Sequence, residues 1–437
     1  MGPVWREKAS EYRRALRREP GFLPAEDRDN TDLDSDLADE RPPVPVTDLL
    51  NKSLSRPQLF GYQEELVSKV LTSLPEVRGL LALPTGAGKT RTALSVCLEG
   101  FSSGALRRVV WLAPTVELID QAYETTKNLW ATHGGLDDLF LSRDLEQVES
   151  DSPALIFVTP QAVYQQSQKY QRSRKNLRSR KNSLRASVDA DLVVFDEAHQ
   201  LGAPTYREAV KALGCLDSSR PVGLIGLSAT PGRVDEDETE HLVELFQRRL
   251  LTAKSLGRQP IERLEQMGVL ARVKFKDIPV NVPPGPDIGE RLKIAIRFCR
   301  WLVGERGAKP LVFAPDVGSA VVLAEALSAS GFRAHAVHSD LSPDSRRRFI
   351  QEFADGHATL LTNHRILATG YDCPAVSDLV FLSEVGSAIQ FEQMVGRACR
   401  GIKTGGAATA TIWEFDDHRR LHGLPKSYYR YRDFNWE

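Results

Sequence analysis

Cysteine is scarce in this chain and never closely paired. Cys97, Cys215, Cys299, Cys373 and Cys399 are the five in 437 residues, and no CxxC occurs. A disulfide frame and a cysteine-based zinc site are both excluded, and a reduced, cytoplasmic protein is expected. Long hydrophobic runs are missing too. The apolar stretches are strand-sized, far short of the roughly twenty residues a membrane span needs, so no membrane partner is expected. The opening "MGPVWREKASEYRRALRREP" has no apolar core of the signal-peptide kind. Neither sign of charge dominates, with 57 Lys plus Arg against 58 Asp plus Glu. A nucleic-acid partner must therefore show itself in local patches.

What is present is a mixed composition, 41% hydrophobic and 26% charged, which suits two or three globular domains. Residues 5 to 18 fit one short helix, with Trp5, Ala9, Tyr12 and Leu16 on one stripe and arginines elsewhere. Eight carboxylates follow between Glu26 and Glu40, and the stretch ends in prolines. That composition predicts an acidic, disordered linker, so residues 1–44 form a preface of basic helix and linker.

From about residue 45, strands alternate with helical patterns. "GLLALP", "RRVVWLAP", "ALIFVTP", "DLVVFDEAH" and "VGLIGLSATP" are continuous apolar runs that end in polar or turn residues. The alternation predicts an α/β lobe with a parallel sheet covered on both faces. Ligands of such sheets sit beyond the C-terminal ends of the strands. Residues 232–276 read as a charged connector and "VPPGP" (282–286) as a hinge. "KPLVFAP", "RAHAVHSD", "ATLLTN", "DLVFLSE" and "ATATIWEF" repeat the alternation. The expected division is thus a first lobe at 45–260, a second at 261–420 and a tail at 421–437.

Two motifs carry chemistry. In "LPTGAGKT" (83–90) a small-residue loop, Pro84, Thr85, Gly86, Ala87 and Gly88, lets backbone amides approach phosphates at a helix N-terminus. Lys89 suits the β- and γ-phosphates, and Thr90 suits Mg²⁺. The full Walker pattern wants glycine where Leu83 stands. "VVFDEAH" ends an apolar strand in two carboxylates. Asp196 suits a water-mediated hold on Mg²⁺, Glu197 the polarising of an attacking water, and His199 a link to neighbouring loops.

Taken in order, "LPTGAGKT", "DEAH", "LSATP", "ILATGYDCP" (366–374) and "QMVGRACRG" (393–401) resemble the motifs of superfamily 2 helicases. "LFGYQ" (59–63) is similar to the adenine-reading Q motif, with Phe60 where related motifs carry arginine. "LAPTVELIDQ" and "VTPQA" are similar to motifs Ia and Ib. The resemblance spans about residues 55 to 420 and implies two tandem RecA-like lobes with ATP between them and nucleic acid across both. It implies that Gln63 reads adenine, and that Lys89, Thr90, Asp196 and Glu197 form the first-lobe ATPase site. Ser228 and Thr230 would couple hydrolysis to movement. Gly370 and Asp372 would lie by the nucleotide, and Gln393, Arg397 and Arg400 would complete the pocket. A planar, permanently charged guanidinium suits the spread charge of phosphoryl transfer.

"PIERLEQMGVLARVKFKDI" (260–278) resembles the connector of the DNA-translocating branch, which holds RadD-type, XPB-type and type I restriction motor subunits. DNA is accordingly expected over RNA. Thr115, Thr159 and Thr362, at strand ends, are either phosphate contacts or helix caps and turns. Between motif Ib and DEAH, residues 169–187 hold eight Lys or Arg and no acid, with "SRKN" twice. Val163, Tyr170, Leu177 and Leu184 recur every seventh residue. Arg172, Arg174, Lys175, Arg178, Arg180 and Lys181 then sit on a phosphate-binding arm or on a solvated insertion. The expected activity is an ATP-dependent nucleic-acid motor. The alternatives are a nucleic-acid-gated ATPase switch within a larger protein complex, or an RNA remodeller.

Overall fold

The computed structural model describes residues 4–16, 59–133, 139–145, 152–174, 184, 188–217, 222–232, 235–279, 288–367, 376–415, 427–432 and 434–436. The acidic stretch, the hinge at 282–286, Gly370, Asp372, Lys175, Arg178, Arg180 and Lys181 lie outside them. Two compact units are present. One combines residues 39–263 with 426–437, and the other combines residues 1–38 with 264–425. The first helix, α1 (Trp5–Leu16), thus groups with the second lobe, and the C-terminal segment groups with the first. The sequence division had set both apart.

The first lobe begins with α2 (Gly61–Leu71) and β1 (Arg78–Ala82), which feeds α3 (Lys89–Ser102). Then come β2 (Arg108–Leu112), α4 (Val116–His133), β3 (Phe140–Ser142), β4 (Ala154–Val158) and α5 (Pro160–Arg174). β5 (Leu192–Phe195), α6 (Pro204–Ala212), β6 (Gly223–Ser228), α7 (Glu236–Leu245) and β7 (Leu250–Leu251) close the sheet. α8 (Pro260–Gln266) leads into the second lobe.

Seven strands pair in the order β3-β4-β2-β5-β6-β1-β7, and every pairing is parallel. The middle strands are buried on both faces, as continuous runs of Leu, Ile and Val require. The register brings the motif-bearing ends level: Ala82 pairs with Ser228, and Leu112 with both Phe195 and Val158. Val163 and Leu184 are buried in the core on one face of this sheet, and Tyr170 packs against it. Three of the heptad positions are therefore core, and Leu177 lies outside the described residues.

The second lobe runs β8 (Arg272–Asp277), α9 (Ile288–Gly304), β9 (Pro310–Phe313), α10 (Val317–Ala329), β10 (Ala334–Val337), α11 (Pro343–Ala354) and β11 (Leu360–Asn363). β12 (Asp378–Phe381), α12 (Ala388–Val395) and β13 (Thr409–Glu414) follow. Its six strands, in the order β10-β11-β9-β12-β13-β8, are also all parallel. A last short helix, α13 (Ser427–Arg432), belongs to the first lobe.

The stripe on α1 is a packing face. Ala9 and Leu16 are buried with Leu292, Leu323 and Leu327, while Trp5 and Tyr12 cover their edge. Gly318 of α10 allows the approach, because a Cβ there would stand 3.0 Å from the Trp5 carbonyl and 3.1 Å from the Ala9 nitrogen. Polar contacts fix the register. The Trp5 indole N–H meets the Asp340 carboxylate. The Tyr12 hydroxyl donates to Asp316 at 3.0 Å, and Arg13 grips Glu325 bidentately at 2.9 and 2.7 Å. Burial, with the Asp316 charge, pushes the Tyr12 phenol up to about 12, so it remains a donor. Cys97, Cys215, Cys299 and Cys399 carry thiols rather than disulfides. Among the described residues no helix is long and apolar enough to cross a membrane.

Candidate nucleotide site and its couplings

β1 ends in buried Ala82, and the chain turns through Leu83 to Gly88 into α3. The Ala87 amide donates to the Pro84 carbonyl at 3.0 Å and closes the loop. Gly86 and Gly88 hold φ near +84° and +80°, a left-handed region that side chains rarely adopt. At Gly88 a second constraint applies: a Cβ would lie 2.5 Å from Gln63 Nε2. Lys89 and Thr90 open α3, where backbone N–H groups and the helix dipole favour an anion. The missing glycine at Leu83 has a local reason. Leu83 is a fully buried extension of the strand, and its amide donates to the Ser228 carbonyl.

α2 braces this loop. The Tyr62 hydroxyl donates to the Ala87 carbonyl at 2.8 Å. Gln63 is 1% exposed; its Nε2 reaches the Ala87 and Gly88 carbonyls at 3.5 and 3.4 Å, and its Oε1 accepts from the Phe60 amide at 3.0 Å. The side chain expected to read adenine is thus engaged with the phosphate loop. Burial raises the Tyr62 phenol, against the pull of the Arg91 charge, and keeps it protonated. Tyr62 was not singled out in the sequence, although it sits beside Gln63 in the same motif.

The DEAH residues cluster beyond β5. Asp196 and Glu197 are both buried, and Asp196 Oδ1 accepts from the Glu197 amide at 2.9 Å. Glu197 sits in the left-handed region, φ 51° and ψ 48°. For a non-glycine residue that costs about 1–2 kcal/mol. A short 3₁₀ turn, Ala198–Gly202, then carries His199 back over the sheet end. His199 Nδ1 stands 3.3 Å from Glu197 Oε2 and 3.5 Å from Ser228 Oγ. Ser228 Oγ in turn donates to the Thr230 carbonyl at 2.6 Å and accepts from the Thr230 amide at 3.0 Å. Glu197, His199, Ser228 and Thr230 therefore form one buried chain of contacts across the ends of β5 and β6. Among the described residues, the Thr230 hydroxyl is buried without a hydrogen-bond partner.

The strand-end threonines divide. Thr115 and Thr159 cap the starts of α4 and α5, accepting from the Leu118 and Ala162 amides, each at 3.3 Å. A capping hydroxyl still has a proton to donate. Thr362 is fully buried, and its hydroxyl donates to the Ala320 carbonyl at 2.7 Å. Its proton serves the core of the second lobe, which removes it as a phosphate contact. Of the basic segment, Arg172 is exposed on α5 and Arg174 ends that helix.

In the second lobe, Gln393 is buried on α12, Arg397 lies in the 3₁₀ turn Gly396–Ala398, and Arg400 follows. Arg400 forms an antiparallel bridge with Leu270. Gly401 and Gly406 crowd its backbone: a Cβ at Gly406 would stand 2.1 Å from the Arg400 carbonyl, and one at Gly401 2.3 Å from the Gly268 carbonyl. The arginine is thus held by a backbone box that only glycine permits.

Two parallel sheets of this kind, one carrying a phosphate loop and a DEAH turn, define a RecA-like helicase core. Family comparisons agree with it. The family model of the type III restriction enzyme res subunit matches residues 56–233, and that of the helicase conserved C-terminal domain matches residues 293–401. The chain belongs to the superfamily 2 helicases and has affinities to its restriction-motor branch.

Among curated relatives, the ATP-dependent RNA helicase DBP3 of Yarrowia lipolytica is 25% identical over 81% of this chain and 64% of its own length. The type I restriction enzyme EcoKI endonuclease subunit of Escherichia coli is 22% identical over 89% of this chain and 38% of its own. The chain thus spans less than two thirds of either relative. Among solved structures, Saccharomyces cerevisiae Dbp5 bound to RNA and ADP BeF3 superposes with a TM-score of 0.58 at 18% identity, covering 84% of this chain and 87% of that one. A fragment of a putative HsdR subunit of a type I restriction enzyme from Vibrio vulnificus gives 0.54 at 19%, covering 84% and 67%.

Proposed function

We propose that this chain is an ATP-dependent motor that moves along nucleic acid, with DNA as its track. The observation that carries the reading is the buried chain Glu197–His199–Ser228–Thr230 beside the phosphate loop. It joins the carboxylate suited to activating water to the loop after β6, so a change at the phosphates has a route into the lobe. The α3 N-terminus and Lys89 bind the phosphates, and Glu197 orients and deprotonates the attacking water. Thr90 and Asp196 offer one hydroxyl and one buried carboxylate, a donor set that suits an ion keeping most of its waters. A Mg²⁺ held by Thr90 and Asp196 would neutralise charge on the phosphates. Arg397 and Arg400 stabilise the charge that develops during transfer, and Gln393 completes the pocket with them. Thr115 and Thr159 position the strand without reading its sequence.

The restriction-subunit relative and the likeness of the 260–278 connector to DNA translocases support DNA. A remodeller of RNA is the second reading, favoured by the RNA-helicase relatives. The experiment is ATP hydrolysis measured with single-stranded DNA, duplex DNA and RNA side by side. Stimulation by DNA above RNA supports the proposal. Stimulation by RNA alone transfers the reading to RNA, and hydrolysis indifferent to all three contradicts a motor.

A further inference from the structure

The C-terminal segment, α13 with residues 434–436, is built into the first lobe at points the motifs do not include. The Tyr428 hydroxyl donates to the Ala82 carbonyl at 3.3 Å, at the end of the strand that enters the phosphate loop. The Trp436 indole N–H donates to the Pro231 carbonyl at 3.1 Å, one residue past Thr230. The Tyr429 hydroxyl accepts from the Ile261 amide at 3.3 Å and donates to Glu262, both on α8. Arg432 reaches the Arg258 carbonyl at 3.2 Å, just ahead of α8. Asn435 adds a hold on α7 and the turn after it: its backbone carbonyl accepts from Arg248, and its side-chain amide donates to Glu240 of α7 at 3.0 Å.

Trp436 packs against the first-lobe core and Tyr428 is buried, so the segment combines packing with these separate polar anchors. A cavity of about 390 Å³ remains between the segment, β7 and the start of α8, with Thr252, Lys254, Tyr428, Arg432 and Trp436 among its walls. Tyr428, Tyr429 and Trp436 each place a polar atom on a group of a different part of the lobe.

We infer that α13 and residues 434–436 act as a coupling strap, and that Trp436 and Tyr429 are positioning residues which tie the loop after Thr230 to the connector helix α8. The inference rests on the proposed nucleotide site. α8 is the stretch of chain that leads into the second lobe. The strap makes the Pro231 end of the Glu197–His199–Ser228–Thr230 chain and the start of that connector move as one body. Tyr428 gives the same body a fixed point on β1. Neither residue touches the reacting phosphates. Their loss should therefore spare nucleotide binding and basal turnover and weaken the response of turnover to nucleic acid.

The test compares wild type with Trp436→Phe, Tyr429→Phe and Lys89→Ala in the full chain. Trp436→Phe keeps a ring in place and removes the donor, and Tyr429→Phe removes the hydroxyl and little else. Basal ATPase, KM for ATP, stimulation by single-stranded DNA and melting temperature are read for each. For both strap variants we expect basal kcat and KM within about twofold of wild type, and stimulation reduced about fivefold or more. Unchanged stimulation with a lower melting temperature would show a merely stabilising tail and overturn the strap. So would an equal fall in basal and stimulated rates. Turnover that survives Lys89→Ala would instead bring down the nucleotide-site reading, and the strap's role with it.

Discussion

His199 Nδ1 lies 3.5 Å from Ser228 Oγ, and the contact spans the ends of two adjacent strands, β5 and β6. The same nitrogen is 3.3 Å from Glu197 Oε2. One imidazole is thus shared between the carboxylate assigned to water activation and the loop that follows β6. Removing the ring with His199→Ala leaves Lys89 and Glu197 in place and breaks the link. Basal hydrolysis should persist, while stimulation by nucleic acid should fall on the order of 5- to 150-fold, the range of ordinary coupling free energies. ATPase assays across a nucleic-acid titration check it, and undiminished stimulation would remove His199 from the coupling route.

Gly88 tests the phosphate loop. Its φ of +80° and the 2.5 Å approach of Gln63 Nε2 leave no place for a methyl group. Gly88→Ala should cost about 1–2 kcal/mol in backbone strain alone. It should also displace Gln63 and weaken ATP binding. Isothermal titration with a non-hydrolysable analogue reads the loss. Wild-type affinity would mean that the loop does not cradle phosphate.

Arg400 is held by its glycine-crowded backbone, and its side chain is assigned to the developing charge of the transition state. Arg400→Ala should lower kcat by about 10³-fold or more with nucleotide affinity nearly intact. Stopped-flow binding and steady-state turnover separate the two effects. A large loss of affinity at unchanged kcat would refute the role.

Helix α1 should stabilise the second lobe. Leu16 is 2% exposed among Leu323, Leu327 and their neighbours. Leu16→Ala should cost about 2–5 kcal/mol, read as a drop in the melting transition of that lobe. A pH dependence accompanies it. His338 packs its ring against Trp5, at 5.3 Å between centroids. Burial lowers its affinity for a proton, the nearby Asp340 charge opposes that shift, and Arg346 adds to it. The folded value lies below the ordinary 6.5, so the unfolded chain binds the proton first. The contribution of neutral His338 is complete above about pH 6.5 and fades as pH falls through the folded value. The stability gap between wild type and His338→Asn should move against wild type as the pH is lowered from 7 to 5. A gap independent of pH would show that His338 does not titrate between the two states.

Much of the site could be read in the sequence because its residues are local. A phosphate loop is a strand, a tight turn and a helix start, and DEAH is a strand end, so each sits within a few consecutive positions. The stripe Trp5, Ala9, Tyr12, Leu16 also showed itself, since helical spacing reports a buried face. The partner of that face could not be read. Asp316, Glu325 and Asp340 lie some three hundred residues away, and no local pattern links them to α1. Thr362 illustrates the opposite limit. A threonine at a strand end looks alike whether its hydroxyl points to solvent or to a buried carbonyl, and only the packing of α10 on β11 decides. The strap was invisible for the same reason, because an aromatic, basic tail of some ten residues carries no periodic signal.

The central claim is that Lys89 and Glu197 do separate jobs at one ATP site. The direct measurement is nucleotide binding and turnover by wild type, Lys89→Ala and Glu197→Gln at saturating DNA. Lys89→Ala should lose both binding and turnover. Glu197→Gln should bind ATP like wild type and hydrolyse it at a small fraction of the rate, because the group that activates water has changed while the phosphate grip has not. Hydrolysis at the wild-type rate by Glu197→Gln, or wild-type binding by Lys89→Ala, would contradict it.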